Sequence, residues 1–449
     1  MTRRRTIARG FAVAVVVTVL AAACGKNDNA SKGTTTTKAG AGGSSTTSAS
    51  NNDRGNIDGV LTLGTLLPES GDLSAIVKSL RTPVDMAVKE INDAGGVNGK
   101  QVQVASADDG TDPAKAATGF DRLVSSDKVD AILGPAASSV VKGVLDKVKS
   151  NGVVDCSGSA TSAELTDLQN KGADGGYFFR TAPPDKLQGP ALADLVSADN
   201  KTAVALLVRN DSYGTGFATA LKNRFKANGI DVVANVAYDP AGTGTYDTDV
   251  QKVATAKPDA VVLIAFPDDG GKVLNSMIKN KIGPADVSVY TADGLQSSSF
   301  YQKVSATDPT VVKGMKGTAP SSAPSGVTSP FIAKFKATGV DPIFSSYYYD
   351  CTMLIALAAQ SAKSDDPAKI KDEIPKVAAG GTKCNSFKAC KDLLDKGTDI
   401  DFEGASGRVN LSAIGEPTVG SYDIWSFDAA GKVQTEPPDT QIQIDEKDL

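Results

Sequence analysis

Residues 60–105 read VLTLGTLLPESGDLSAIVKSLRTPVDMAVKEINDAGGVNGKQVQVA, and this stretch decides the fold class. Residues 60–67 are a short apolar run that reads as a buried strand. Val84, Ala87, Val88 and Ile91 then recur at helical spacing, so residues 82–94 predict an amphipathic helix. Gly95-Gly96 stops that helix, Asn98-Gly99 turns the chain, and residues 101–105 predict the next strand. A strand, a helix and a second strand in this order make a β-α-β unit with its two strands parallel.

The same rhythm extends outward. Asp112 offers a side-chain cap and Pro113 a pre-set first helical position, which predicts a helix to about residue 126. A strand at 129–133, a helix marked by Val141, Val144, Leu145 and Val148, and a strand at Val153-Val154 follow. A second series then begins, with strands at 203–208, 231–238, 260–264 and 287–290 and a helix at 213–228. Two such series predict an α/β protein of two similar lobes, each a parallel sheet covered on both faces. The break falls at Phe179-Arg180-Thr181-Ala182-Pro183-Pro184, where paired prolines favour an extended crossing. Residues 328–396 read as mostly helical, including an apolar helix at 346–362, and residues 402–434 as β-rich, notably 422–427. The expected division is 57–181 plus 318–400 for the first lobe and 182–317 plus 401–435 for the second, with 436–449 as a C-terminal tail.

The N-terminal end carries a different message. Arg3, Arg4, Arg5 and Arg9 precede an apolar run from 11 to 23 that is too short to span a bilayer and ends in Leu20-Ala21-Ala22-Ala23-Cys24. Residues 1–23 are expected to be a signal peptide. The junction resembles the lipobox of bacterial lipoproteins, which implies lipidation of Cys24 and anchoring to the outer face of the cell membrane or in the periplasm; Ala21 stands where that motif usually has Leu. An ordinary cleaved signal is the alternative. Residues 24–56, mostly Ser, Thr, Gly, Asn and Ala, are expected to serve as a flexible linker, because so few apolar side chains cannot offset the entropy of ordering.

Composition narrows the chemistry. The formal charge is −5, and about −9 without the four arginines of the first 23 residues, with no basic stretch suited to nucleic acid. Histidine is absent, which removes the usual general base and the commonest metal ligand, so no Ser-His-Asp or Cys-His catalytic site can exist. No cofactor or metal is expected. Cys156, Cys351, Cys384 and Cys390 remain after Cys24, and an even count in an exported chain suggests two disulfides. Three connectivities are possible; proximity favours Cys384–Cys390, which leaves Cys156–Cys351.

The stretch Ala87-x-x-x-Ile91-Asn92-x-x-Gly95-Gly96-Val97-Asn98-Gly99, followed by Asp108-Asp109-Gly110-Thr111-Asp112-Pro113, resembles the periplasmic leucine/isoleucine/valine-binding protein family. Gly134-Pro135-x-x-Ser138-Ser139, Ser159-Ala160-Thr161, Phe179-Arg180-Thr181, Asp211-x-Tyr213-Gly214 and Tyr349-Asp350 continue the likeness in order over most of residues 57–430. The resemblance implies the type I periplasmic-binding-protein fold: two Rossmann-like lobes joined by a three-crossing hinge, closing on a small molecule in the cleft and delivering it to ABC permease subunits. A monomer is expected.

Ligands of open parallel sheets bind beyond the carboxyl ends of the strands, and the polar clusters here follow strands. For an amino acid, Ser138 and Ser139 before a helix, with Ser159, Ala160 and Thr161 nearby, are candidates to hold the carboxylate. Asp293 matches an acidic position of the family and is the candidate partner of the ammonium group. Tyr213 can add a hydroxyl, and Phe266 and Ile76 an apolar wall; an aliphatic residue at 76 departs from the aromatic often found there, which leaves the ligand side chain open. Each has a plainer reading: Ser138 as a helix cap, Asp293 as part of an Asp-Gly turn, Phe266 and Ile76 as core. Tyr347-Tyr348-Tyr349 reads as helix packing. A sensor presenting an amino acid or small amide to a signalling partner is the alternative function. An enzyme is disfavoured, since no nucleophile elbow, phosphate loop or dinucleotide fingerprint occurs.

Overall fold

In the computed structural model, which describes residues 57–449, the first series of apolar runs forms one parallel sheet. Its strands are β1 Thr62–Leu67, β2 Gln103–Asp108, β3 Ala131–Leu133, β4 Val154–Ser157 and β5 Phe178–Arg180, in the order β2-β1-β3-β4-β5. Strands β3, β4 and β5 are buried along their whole length, as expected of strands covered on both faces. The second series supplies β6 Ala203–Arg209, β7 Asp231–Tyr238, β8 Ala260–Ile264, β9 Ser288–Thr291 and β10 Lys316–Pro320. A small sheet of β11 Thr382–Cys384, β12 Ile400–Gly404 and β13 Gly407–Arg408 follows. The chain ends with β14 Val419–Phe427, β15 Val433–Thr435 and β16 Ile442–Asp445. The second sheet runs β15-β14-β10-β9-β8-β6-β7, with β16 paired to β14, so antiparallel strands complete an otherwise parallel sheet.

The helix expected at 82–94 begins earlier, as Val77–Asp93 after a 3-10 turn at Ser74–Ile76. Leu80 extends the buried stripe of Val84, Ala87 and Ile91 toward the N-terminus, and its burial outweighs the hydrogen bond lost at Pro83 inside the helix. Gly96 ends this segment at φ +74°, where a Cβ would lie 1.9 Å from the Lys100 carbonyl oxygen, so only glycine fits. Asp112 caps the helix Pro113–Ser125 by accepting from the Lys115 N–H at 2.7 Å.

The chain passes between the sheets three times, at 181–184, 321–329 and 409–418. Strand β10 stays in the second sheet to Pro320, two residues beyond the expected return, because it is held between β9 and β14. Strand β12 pairs with β11 rather than with the second sheet, and Asp350 secures the following turn by accepting from the N–H groups of Ala405 at 2.7 Å and Ser406 at 2.8 Å. Residues 442–445, expected in a tail, form an edge of the second sheet.

A buried ion pair locks the first and third crossings together. Arg180 binds Glu416 and also donates to the Ser162 carbonyl at 2.9 Å and the Ala160 carbonyl at 3.2 Å. Lys186 reaches Glu416 at 2.9 Å. Burial alone would raise the Glu416 carboxyl, but Arg180 and Lys186 outweigh it and hold the group below its ordinary value.

Both disulfides follow the pairing favoured by proximity. Cys156–Cys351 joins β4 to the helix Ser345–Ala362 across a Cα separation of 5.8 Å, and Cys384–Cys390 joins β11 to the helix Phe387–Leu394 across 5.3 Å. No helix among the described residues is long and apolar enough to cross a membrane. The expected signal segment, Cys24 and the linker lie outside the described residues.

Candidate ligand-binding cleft

The carboxyl ends of the parallel strands of the two sheets face one another across a narrow cleft that encloses a cavity of about 20 Å³. From the first sheet come Leu73 and Ile76 after β1, Ala136, Ala137 and Ser138 after β3, and Ser159 and Thr161 after β4. From the second come Tyr213 after β6, Phe266 after β8, and Asp293 and Gly294 after β9. Phe344, just before the helix Ser345–Ala362, adds a further wall.

One end of the cavity is rich in donors. Ser138 is the first residue of the helix Ser138–Asn151, where the first-turn N–H groups have no partner within the helix and the dipole favours an anion. Its hydroxyl oxygen accepts from the Ser162 N–H at 3.1 Å, so the side chain is oriented by the neighbouring loop. The Ser159 hydroxyl lies 3.0 Å from the Ala136 carbonyl oxygen and 3.1 Å from the Tyr348 hydroxyl. Thr161 is buried, and its carbonyl accepts from the Asp185 N–H at 2.7 Å.

The other end carries negative charge. Asp293 opens a 3-10 turn directly after β9 and is 5% exposed. Its Oδ1 accepts from the Tyr213 hydroxyl at 3.2 Å. Burial pushes its carboxyl up to about 6, and contacts with Gln188, its own backbone and Tyr213 offset part of that rise. Asp185 lies behind this group; burial first, and then the charge of Asp293, push its carboxyl well above the ordinary value. Tyr213 stacks on Phe266 with ring centroids 5.3 Å apart and 14° between planes. Gly294 lets the backbone approach this wall closely, since a Cβ there would lie 2.5 Å from the Ala265 carbonyl oxygen.

Of the residues singled out from the sequence, Ile76, Ser138, Ser159, Thr161, Tyr213, Phe266 and Asp293 all line this cavity. Ser139 and Ala160 do not. Ser139 is half-buried one position further along its helix, and Ala160 turns its carbonyl to Arg180. Phe344 was missed; the Asp341-Pro342 turn followed by two apolar residues at a helix start is the one signal that marks it. Tyr347 and Tyr349 pack as expected, with Tyr349 donating to Glu90 at 2.9 Å, while Tyr348 braces Ser159.

Paired α/β lobes with a shared cleft at the strand ends define a solute-binding protein. The profile of the periplasmic binding protein family matches residues 60–392, and the chain belongs to that family, whose members are substrate-binding proteins rather than enzymes. It is similar to a chemotactic signal transduction system substrate-binding protein, BasB, of Halobacterium salinarum, with 28% identity over 83% of this chain and 88% of the relative. It is also similar to a leucine-, isoleucine-, valine-, threonine- and alanine-binding protein of Pseudomonas aeruginosa, with 27% identity over 68% of this chain and 80% of the relative. Among solved structures it resembles the branched-chain amino acid transporter substrate-binding protein LivJ of Streptococcus pneumoniae in complex with isoleucine. That likeness has a TM-score of 0.68 and 25% identity, covering 86% of this chain and 99% of the other. A solute-binding protein of Rhodopseudomonas palustris in complex with 4-hydroxybenzoate shares the fold, with a TM-score of 0.65 and 17% identity over 87% of this chain and 99% of that one.

Proposed function

We propose that this protein is the extracytoplasmic solute-binding component of an ABC importer and closes its lobes on a free amino acid with an apolar side chain. The observation that carries the reading is the polarity of the cavity: Asp293 and Tyr213 stand on one lobe, the helix start at Ser138 with Thr161 on the other, and Leu73, Ile76, Phe266 and Phe344 between them. A zwitterion satisfies both ends at once, its ammonium group on Asp293 and its carboxylate at Ser138 and Thr161. Only the closed form offers both sets of groups, so binding and closure are coupled. An aromatic acid would leave the buried Asp293 facing a ligand without positive charge, which costs affinity. Cys24 would hold the protein to the membrane by lipid, with the segment to residue 56 as tether, and the protein would act as a monomer.

The similarity to BasB favours a second reading, in which the same closed form is presented to a signalling partner. A thermal-shift screen tests the ligand class. Aliphatic amino acids far above their dissociation constants should raise the melting temperature. Stabilisation by hydroxybenzoates and by no amino acid would overturn the assignment. Co-purification with permease or with receptor subunits separates import from sensing.

A further inference from the structure

Phe266 is pressed between two partners. Tyr213 stacks on one face, and the Arg209 guanidinium carbon sits 3.9 Å from the ring centroid. Arg209 is itself buried and fixed within its own lobe, by Asp211 at 2.8 Å on Nε and by Asp269 on Nη1. Its remaining partner comes from across the cleft: Asp72, in the loop between β1 and Leu73, lies 3.2 Å from Nη1. Two carboxylates already face this guanidinium, so attraction of a third needs an argument. Asp211 also caps the helix Ser212–Ala227 by accepting from the Gly214 N–H at 3.0 Å. Asp269 sits in the first turn of the helix Pro267–Lys279, accepting from the Phe266 N–H at 3.2 Å and from the Tyr238 hydroxyl. The positive ends of two helices thus share the charge of Asp211 and Asp269, leaving Arg209 able to draw Asp72.

We propose that Arg209 is a positioning residue that joins the ligand-facing wall to lobe closure: it holds Phe266 in place from behind and gains Asp72 when the lobes shut. This rests on the cleft being the ligand site, and it adds a regulation of that site by a charge pair outside the cavity. Asp72 does not line the cavity, and its side chain is 34% exposed, so its replacement leaves the fold and the ligand contacts intact.

The test compares the full chain with D72N and D72E, by small-angle scattering without ligand and by stopped-flow dissociation of isoleucine. D72N is expected to shift the ligand-free ensemble toward larger dimensions and to speed isoleucine release about two- to fivefold, as loss of a partly exposed pair allows. Release from the wild type should quicken with added salt, release from D72N should not, and D72E should restore part of the effect. A merely structural role for Asp72 would leave the salt dependence unchanged. Identical scattering and identical release rates in D72N would overturn the proposal, as would slower release, which would mean that repulsion from Asp211 and Asp269 wins. If the wild type binds no isoleucine, the ligand assignment is what fails. Scattering then decides alone: a more open D72N supports the charge pair, and an unchanged profile overturns it.

Discussion

The Tyr213 hydroxyl donates to Asp293 at 3.2 Å, and both side chains line the cavity between the lobes. The bond orients the carboxylate, and a neutral hydroxyl leaves its charge in place, so the pair is arranged to receive a cationic group rather than to neutralise one another. Asp293→Asn keeps the shape and removes the charge. Amino-acid affinity should fall about 10- to 100-fold by calorimetry, the worth of a charge-assisted bond in a buried site. Tyr213→Phe should cost less, because it removes only the orienting bond. Unchanged affinity in Asp293→Asn would exclude the ammonium contact.

The same carboxyl, pushed up to about 6, gives binding a pH dependence. An ammonium ligand needs the ionised form. Affinity should be flat above about pH 7 and weaken as pH falls through 6, approaching tenfold per unit in more acid solution. Asp293→Asn should lack this dependence. Titrations of the dissociation constant between pH 5 and 8 would check both.

Folding stability should move the other way. Asp109 and Asp350 are raised to about 7, and Asp269 and Asp293 to about 6, in each case by burial first. A carboxyl whose folded value lies above its unfolded value takes up a proton on folding, so stability rises as pH falls through the folded value and levels off near the unfolded one. Below that window the protein loses the support of groups held low, such as Asp108 at about 2 and the Arg180-paired Glu416. The melting temperature of the ligand-free protein should therefore increase from pH 7.5 to about 5 and fall in stronger acid.

Much of this arrangement is legible in the sequence. Strands 231–238 and 260–264 occupy the expected residues, because continuous or alternating apolar runs bounded by polar turns leave little choice of register. The loops that line the cavity are legible because they follow the carboxyl ends of parallel strands and carry polar residues there. Phe344 was hidden, because it reaches the cavity only when the chain crosses back after Pro320, and its left-handed backbone at φ +57° has no glycine to announce it. Ser139 and Ala160 show a second limit: in the first turn of a helix or in a short loop, which side chain faces inward depends on the local backbone geometry. The edge strand 442–445 was also illegible, being short and half polar.

Glu416→Ala should be among the most damaging single changes. It leaves Arg180 buried without its charged partner and removes the anchor shared with Lys186 and Thr166. Breaking such a pair costs about 3–5 kcal/mol, which urea denaturation would read as a lower midpoint. Because the pair joins two of the three crossings, the hinge should loosen even where the lobes remain folded, and ligand-free scattering should broaden.

Gly158→Ala tests the brace behind the donor end. A Cβ at this position would lie 2.8 Å from the Tyr348 backbone nitrogen and 2.6 Å from its ring, so the helix Ser345–Ala362 must shift. Overpacking of this kind costs about 1–3 kcal/mol. Ligand affinity should drop as well, since Tyr348 would leave the Ser159 hydroxyl. A variant that loses stability but binds normally would show that Ser159 needs no support.

The bond between Cys156 and Cys351 spans 195 residues, and all of β6 to β10 lies inside that span. Made from its N-terminus, the chain lays down one sheet early, yet the helix that helps to seal that sheet emerges only after the five parallel strands of the other have been produced. The first sheet thus lacks part of its cover until five of the eight strands of the second have been made. The cross-link can form only once that later chain has emerged, so the closing of the first lobe is a late event in the synthesis of the protein.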